Sequence, residues 1–260
     1  MGHFEIGPAL LSRAGNEALT VDPNLSYNTT ISSRDQMWES GQQWYFEIGM
    51  SALVCIRRAL AIAGVTPASI LDMPSGHGRV CRMLKAAWPQ ARLTACDLDA
   101  DGVDFCVATL GTEGAYSRED IGDFELPGTF DLVWCGSLFT HLEAENWSAF
   151  LDFFSRHLTP DGVLVFTTHG RQPIQWMNEG VYSYGLERSE QLALIDAYDR
   201  TGFGFVSPAN QRFGISLSSV AFVCERVERI GSLRLITAHE AGWAGHQDVF
   251  ACTRLKRPYR

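Results

Sequence analysis

From residue 66 onward, short apolar runs alternate with stretches in which apolar residues recur every three to four positions. Ser69-Ile-Leu-Asp-Met73 reads as a strand, Arg79–Trp88 as a helix stopped by Pro89, and Ala91–Asp97 as a second strand. A helix is expected over Asp101–Leu110, a weaker strand over Gly114–Arg118, and a clear strand over Phe130–Cys135. Between Glu143 and Leu158 the residues Trp147, Phe150, Leu151, Phe154 and Leu158 trace one helix face. Pro160-Asp-Gly162 then predicts a turn before the apolar strand Val163–Thr168. Strands and helices that alternate in this way predict a parallel sheet covered on both faces.

The flanks are patterned differently. Residues 1 to about 33 are irregular and rich in Asn, Ser and Thr toward their end, and Gln42–Ala63 carries helical spacing up to Gly64. Gly170 to about Leu217 breaks the rhythm with Trp176, Tyr182, Tyr184, Tyr198 and the segment Gly202–Pro208, and contains a short helix near Ser189–Arg200. It reads as an insertion after the fifth strand and a candidate lid. A helix near Ser218–Ile230 and two strands, Leu233–Ala238 and Asp248–Arg254, follow. Their connection, Glu240–His246, is too short for a crossover helix, so they should pair antiparallel. The expected organisation is an N-terminal arm and helical cap over 1–64, then an α/β domain over 65–260 with the insertion at about 170–217.

Composition narrows the function classes. The 260 residues carry 21 Lys+Arg against 30 Asp+Glu, a formal charge of -9, and no basic cluster apart from the tail Arg254–Arg260. A nucleic-acid backbone is therefore a poor partner. No apolar run approaches the ~18 residues of a membrane span, and the N-terminus lacks a basic start followed by an apolar stretch. The seven cysteines form no CxxC pair and sit mostly in apolar runs, which reads as core thiols in a reducing, cytoplasmic setting without a metal site.

The candidate chemistry gathers at Asp72-Met-Pro74-Ser75-Gly76-His77-Gly78-Arg79, between the first strand and its helix. Glycines there let a ligand approach the backbone, and a helix N-terminus offers free N–H groups. The same glycines would also serve a plain tight turn. Asp97, followed by Leu98, ends the neighbouring strand, where doubly wound sheets bind ribose hydroxyls; Asp99 and Asp101 suit a helix cap better.

These residues resemble the class I S-adenosylmethionine-dependent methyltransferases, well over 66–168 and in outline over 218–255. Asp72, Gly76 and Gly78 match the family's D-x-G-x-G-x-G signature, while Pro74 stands at its first glycine. The resemblance implies a doubly wound, seven-stranded, mostly parallel Rossmann-like sheet with the last strand antiparallel, and S-adenosyl-L-methionine as cofactor. It implies cofactor contacts from the turn residues, including Pro74, Ser75 and Arg79, and ribose binding by Asp97 with Leu98 beside it. Asp120 and Ile121 match the adenine-facing segment, with Asp123 as the alternative acid. Cys135, Gly136 and Ser137 match the fourth-strand segment facing the methionine end and the substrate.

His141 and His169 follow strand ends on that face and are the candidate catalytic residues, with cap and loop hydrogen bonds as their ordinary alternatives. Tyr27, Tyr45, Trp176 and Tyr182 are candidate substrate contacts, and plain packing is the alternative for each. No Asn/Asp-Pro-Pro-Tyr/Phe motif follows the fourth strand, which disfavours amino methylation of nucleobases or glutamine. The expected function is methyl transfer to an O or N atom of a small molecule. An NAD(P)-dependent reductase would be expected to keep GxGxxG at the turn; it and a non-catalytic S-adenosylmethionine-binding module are the alternatives.

Overall fold

A computed structural model describes residues 25–38, 44–208 and 213–255. The expectations for residues 1–24, for the start of the first helix and for the tail beyond 255 lie outside these residues. Helix α1 (Trp44–Ala63) precedes the alternating core: β1 (Ser69–Asp72), α2 (Cys81–Ala87), β2 (Arg92–Asp97), α3 (Ala100–Phe105), β3 (Glu113–Tyr116), β4 (Phe130–Cys135), α4 (Trp147–Arg156) and β5 (Leu158–Thr168). After α5 (Arg171–Glu179) and α6 (Arg188–Thr201) come the short strands β6 (Phe203–Val206) and β7 (Ile215–Ser218). The chain finishes with α7 (Val220–Ile230), β8 (Leu233–Trp243) and β9 (Gln247–Arg254).

Seven strands form one sheet in the order β3-β2-β1-β4-β5-β9-β8, and β6-β7 form a separate pair. The five core strands pair parallel, whereas β9 runs antiparallel to both β5 and β8. The short connection before β9 enforces that direction, as expected from its length. β8 is longer than its apolar pattern suggests and pairs with β9 as far as Trp243↔Gln247, with register shifts between Leu235 and Thr237 and between His239 and Trp243.

Alternation along the strands sorts the core into two layers. Ile70, Leu132, Trp134, Val163 and Val165 face one side, against Ala52, Ile56 and Leu60 of α1 and Leu84 of α2. Leu71, Val133, Leu164 and Phe166 face the other, against Leu151 and Phe154 of α4 and Val223 and Val227 of α7. Period-two side-chain direction with helices on both faces is why these strands read as continuous apolar runs. Helix α1 thus packs directly on the sheet. Six of the seven cysteines are buried and all are free thiols, and burial pushes the pKa values of Cys55 and Cys96 up to about 12.

Three local details depart from the pattern reading. Pro160-Asp-Gly162 is a bulge inside β5 and not a turn ahead of it, because Phe130 pairs with Leu158 and Leu132 with Val163. The helix expected to end at Leu110 changes to a π turn over Cys106–Leu110, closed by left-handed Gly111. The insertion is more ordered than its composition suggests: α5, α6 and the β6-β7 pair enclose a third core that includes Trp176, Met177, Tyr184, Leu186, Leu194 and Leu217. Among the described residues, no helix is long and apolar enough to cross a membrane.

Candidate active site

The ends of β1, β2 and β4 meet on one rim of the sheet. β1 delivers Asp72 to that rim, and the chain turns through a cis Met73–Pro74 peptide into Ser75, Gly76, His77 and Gly78. Gly78 has φ +82, and a side chain there would meet Leu110 Cδ1 at 2.5 Å and Cys106 Sγ at 2.9 Å, so the turn lies hard against the helix after β2. Gly76 has φ +49, yet a Cβ on it would meet nothing within 4 Å. One glycine is required for packing; the other bares backbone toward open space, the condition for a ligand lying across it.

Asp97 closes that open face. Its Oδ2 accepts the Gly76 N–H at 2.7 Å and its Oδ1 accepts the Asp99 N–H at 2.9 Å. Each oxygen keeps a further lone pair, enough to accept from paired hydroxyls. Asp99 caps α3 by accepting the Asp101 N–H, as its position suggests. His77 is buried and bonds Asp101 at 3.0 Å, which tethers the turn to α3. Leu98 stays exposed beside Asp97. Ile121 is buried in the second core layer, while exposed Asp120 accepts the Gly122 N–H and Asp123 is likewise exposed.

Asp72 lies beneath the turn, 1% exposed, and no donor reaches either carboxylate oxygen in hydrogen-bonding geometry. Burial raises its pKa to about 7; the Cys81 thiol and N–H act against that rise, Asp97 adds to it, and Arg79 opposes it. A buried acid of this kind suits a cationic ligand group above it, as an amino-acid ammonium would be.

At the end of β4, Cys135 is fully buried and Ser137 adopts φ 63, an uncommon left-handed conformation for a residue with a side chain. Two bonds hold it there: its N–H donates to Thr167 Oγ1 at 2.8 Å and its Oγ accepts from Gln247 Nε2 at 2.9 Å. Thr167 in turn donates to Gln247 Oε1 at 2.6 Å. Beside this network opens a cavity of about 290 Å³, walled by Gln36, Met37, Trp44 and Ile48 on the N-terminal side, by Tyr182 from the insertion, and by Trp243, Ala244, His246 and Gln247 from the β8–β9 turn. Arg79 and Ser137 complete it from the two strand-end turns.

The expected site residues therefore divide. Arg79, Ser137 and Tyr182 share the cavity, and Gly76, Asp97 and Leu98 share the open face of the turn. His141 donates from Nδ1 to Gly214 O (2.8 Å) and packs on Phe213, away from the cavity wall. His169 is buried, with its Nδ1 unpartnered among the described residues. Burial lowers the pKa of both imidazoles, and His246 adds to the effect on His169. Tyr45 is fully buried with its hydroxyl on Asp35 Oδ2 at 2.6 Å, and Tyr27 packs on Phe46. Neither lines the cavity. Trp176 stacks on His246 at 4.7 Å, behind the wall.

Pattern reading missed His246, Gln247 and the tryptophans Trp44 and Trp243. His246 meets the Tyr184 hydroxyl through Nε2 at 2.6 Å, and burial lowers its pKa to about 3. The antiparallel hairpin signal at Glu240–His246 was the available clue, because it returns the start of β9 to the rim beside β5.

Residues 70–162 match the family model described as a methyltransferase domain. The chain is 25% identical over 226 residues to the malonyl-[acyl-carrier protein] O-methyltransferase of Laribacter hongkongensis, spanning 79% of this chain and 74% of that protein. It is 24% identical over 160 residues to the protein of the same name from Acetivibrio thermocellus, spanning 61% of this chain and about half (51%) of that one. A solved S-adenosylmethionine-dependent methyltransferase from Clostridium acetobutylicum superposes with TM-score 0.56 at 11% identity, covering 79% of this chain and 92% of that one. The plantazolicin methyltransferase BpumL, solved with a substrate analogue and S-adenosylhomocysteine, gives 0.56 at 15% identity, covering 82% and 86%. The match over the glycine turn, Asp97 and β4, set in a sheet with one antiparallel strand second from its edge, gives this chain a methyltransferase domain on the fold of the solved S-adenosylmethionine-dependent methyltransferases.

Proposed function

We propose that the protein transfers a methyl group from S-adenosyl-L-methionine to an O or N atom of a small molecule. The observation that carries this reading is the pairing of an open glycine face with Asp97 on one side and a cavity of about 290 Å³ on the other. In this reading Gly76 and Asp97 hold the ribose, Leu98, Asp120 and Ile121 frame the adenine, and Asp72 faces the amino-acid end from beneath the turn. Bound S-adenosylmethionine supplies an activated methyl group, so the protein's task is to align an acceptor atom in line with it and keep water out.

The cavity volume, together with small-molecule methylation by the structural relatives, supports a small acceptor. Ser137, Gln247 and His246 offer polar contacts to it, and Trp44, Tyr182 and Trp243 offer apolar ones. The His141 imidazole holds the Gly214 carbonyl, and neither it nor His169 is among the cavity's lining residues. Calorimetric titration with S-adenosylhomocysteine, with NADH and NADPH in parallel, tests the reading. Micromolar binding of the first alone is expected. A signal only from a nicotinamide would replace the proposal with a reductase, and cofactor binding without turnover on any acceptor would favour a binding module.

A further inference from the structure

Among its described lining residues the cavity has one permanently charged group, Arg79, on which the Asp35 and Asp72 carboxylates act without bonding it. No hydrogen bond and no ion pair within the described residues reaches the Arg79 guanidinium. It sits 5.9 Å from the Tyr45 ring centroid and 5.7 Å from that of Trp243, so aromatic walls frame it without satisfying its N–H groups. Trp44 lines the same cavity, and its indole N–H is buried with no acceptor among the described residues. No carboxylate lines the cavity among the described residues. A guanidinium fork on a cavity wall that carries no carboxylate is a recognition surface for a planar anion.

We propose that Arg79 holds a carboxylate of the methyl acceptor and that this carboxylate is the group methylated, which makes the substrate a small organic acid and the product its methyl ester. The inference rests on the methyltransferase reading above and names its substrate class.

Two observations favour the acceptor over the cofactor as the source of the carboxylate. Arg79 turns toward α1 and the β8–β9 turn, through Tyr45 and Trp243, and shares its cavity with the N-terminal segment and the insertion. Gly76, with its open face, and the Asp97 carboxylate that bonds it are not among the cavity's lining residues. The second observation is chemical. A hydroxyl or amine acceptor has to lose a proton during transfer, and the one imidazole on the wall, His246, is buried and a weak base. A carboxylate is ionised at neutral pH and needs no base. One of its oxygens stays on the guanidinium while a lone pair on the other forms the bond to the methyl carbon; the sulfur–carbon bond breaks, its electron pair returns to sulfur, and no proton moves. The malonyl-[acyl-carrier protein] O-methyltransferases among the relatives are named for an acceptor that carries such a group.

The test uses the full chain saturated with S-adenosylhomocysteine and a panel of matched pairs: malonate, succinate, glutarate and malonyl-N-acetylcysteamine, each against its neutral methyl ester. Calorimetry should show at least one acid binding tenfold or more tighter than its ester. Arg79→Gln should abolish that preference, Arg79→Lys should keep part of it, and S-adenosylhomocysteine affinity should change less than twofold in both. Circular dichroism establishes that each variant is folded, and the Lys variant carries the test if the Gln variant is not. The proposal is overturned if every ester binds as well as its acid. It is also overturned if Arg79→Gln weakens S-adenosylhomocysteine but not 5′-methylthioadenosine, which lacks the amino-acid end; the carboxylate held would then be the cofactor's, with the methyltransferase reading intact. Failure of the wild-type chain to bind S-adenosylhomocysteine at all would instead remove the reading beneath it.

Discussion

At the scale of single residues, two acids in one turn carry opposite assignments. Asp97 has hydrogen-bonded oxygens with lone pairs to spare, so Asp97→Ala should weaken S-adenosylhomocysteine binding by about 1.5–3 kcal/mol, the scale of hydrogen bonds to a charged group. An unchanged dissociation constant in the folded variant would remove the ribose assignment. Asp72 has a folded pKa of about 7 against 3.8 in a model peptide. Between those values the folded chain holds a proton that the unfolded chain has lost, so its contribution to stability falls as pH rises from about 4 to about 7. Asp72→Asn should therefore gain stability over the wild type as pH rises through that interval, measured by urea denaturation at pH 5 and pH 8. Both acids were legible from their places at strand ends. Their difference was not, because it arises from the burial of Asp72 beneath the turn, which only folding creates.

Among the elements, Arg82 is the pin between the N-terminal segment and the core. Its guanidinium donates to the carbonyls of Asn28, Thr30, Gly78 and His77, so one buried side chain on α2 fixes both the segment at 28–30 and the glycine turn. Arg82→Met would remove those four side-chain hydrogen bonds and should cost on the order of 3 kcal/mol, with the chain before α1 becoming the first site of limited proteolysis. Cleavage at wild-type rate would mean that the segment is held by its aromatic contacts alone. Strands β4 and β5 and helix α4 could be read from their apolar spacing because packing and periodicity agree there. Helix α5 could not: Arg-Gln-Pro-Ile-Gln-Trp-Met-Asn-Glu has proline in its first turn and a sparse apolar face, and it is held by Trp176 and Met177 packing in the insertion's own core. Arg82 itself looked like an ordinary polar helix position, since its four acceptors lie on two separate stretches of chain.

For the whole molecule, buried titratable groups of opposite kind set the pH range of the fold. Asp72 and Asp248, with pKa values raised to about 7 and about 6 by burial, favour folding at low pH. His169 and His246, lowered by burial and in the latter case to about 3, favour folding once the unfolded imidazoles have lost their protons, above about 6.5. The two effects oppose each other between about pH 4 and 6. Below pH 4 only the histidine loss continues, and between 6.5 and 7 only the Asp72 loss does. Calorimetric scans at pH 3.5, 5, 6.5 and 8 should place the highest melting temperature near pH 6.5 and the steepest fall below pH 4. His246→Gln should flatten the acid side, and an acid limb unchanged in that variant would assign it to other groups. The fold class and strand direction were evident from alternation and one short connection. The cavity was not, since its walls come from five stretches far apart in sequence.

The attachment of β7 has a consequence for how ligands come and go. Ser216 donates its N–H to Thr140 O and its hydroxyl to Phe139 O, and Ser218 donates its N–H to His169 O. The insertion is thereby riveted to the loops after both β4 and β5, and swinging it outward as a lid would break all three bonds and expose a core holding Trp176 and Leu217. The wall opposite is lighter: Gln36 and Met37 are exposed and stand on a short stretch of chain without regular structure. A ligand that passes Gln36 and Met37 leaves the insertion's core intact, whereas one that needs the insertion to swing out does not.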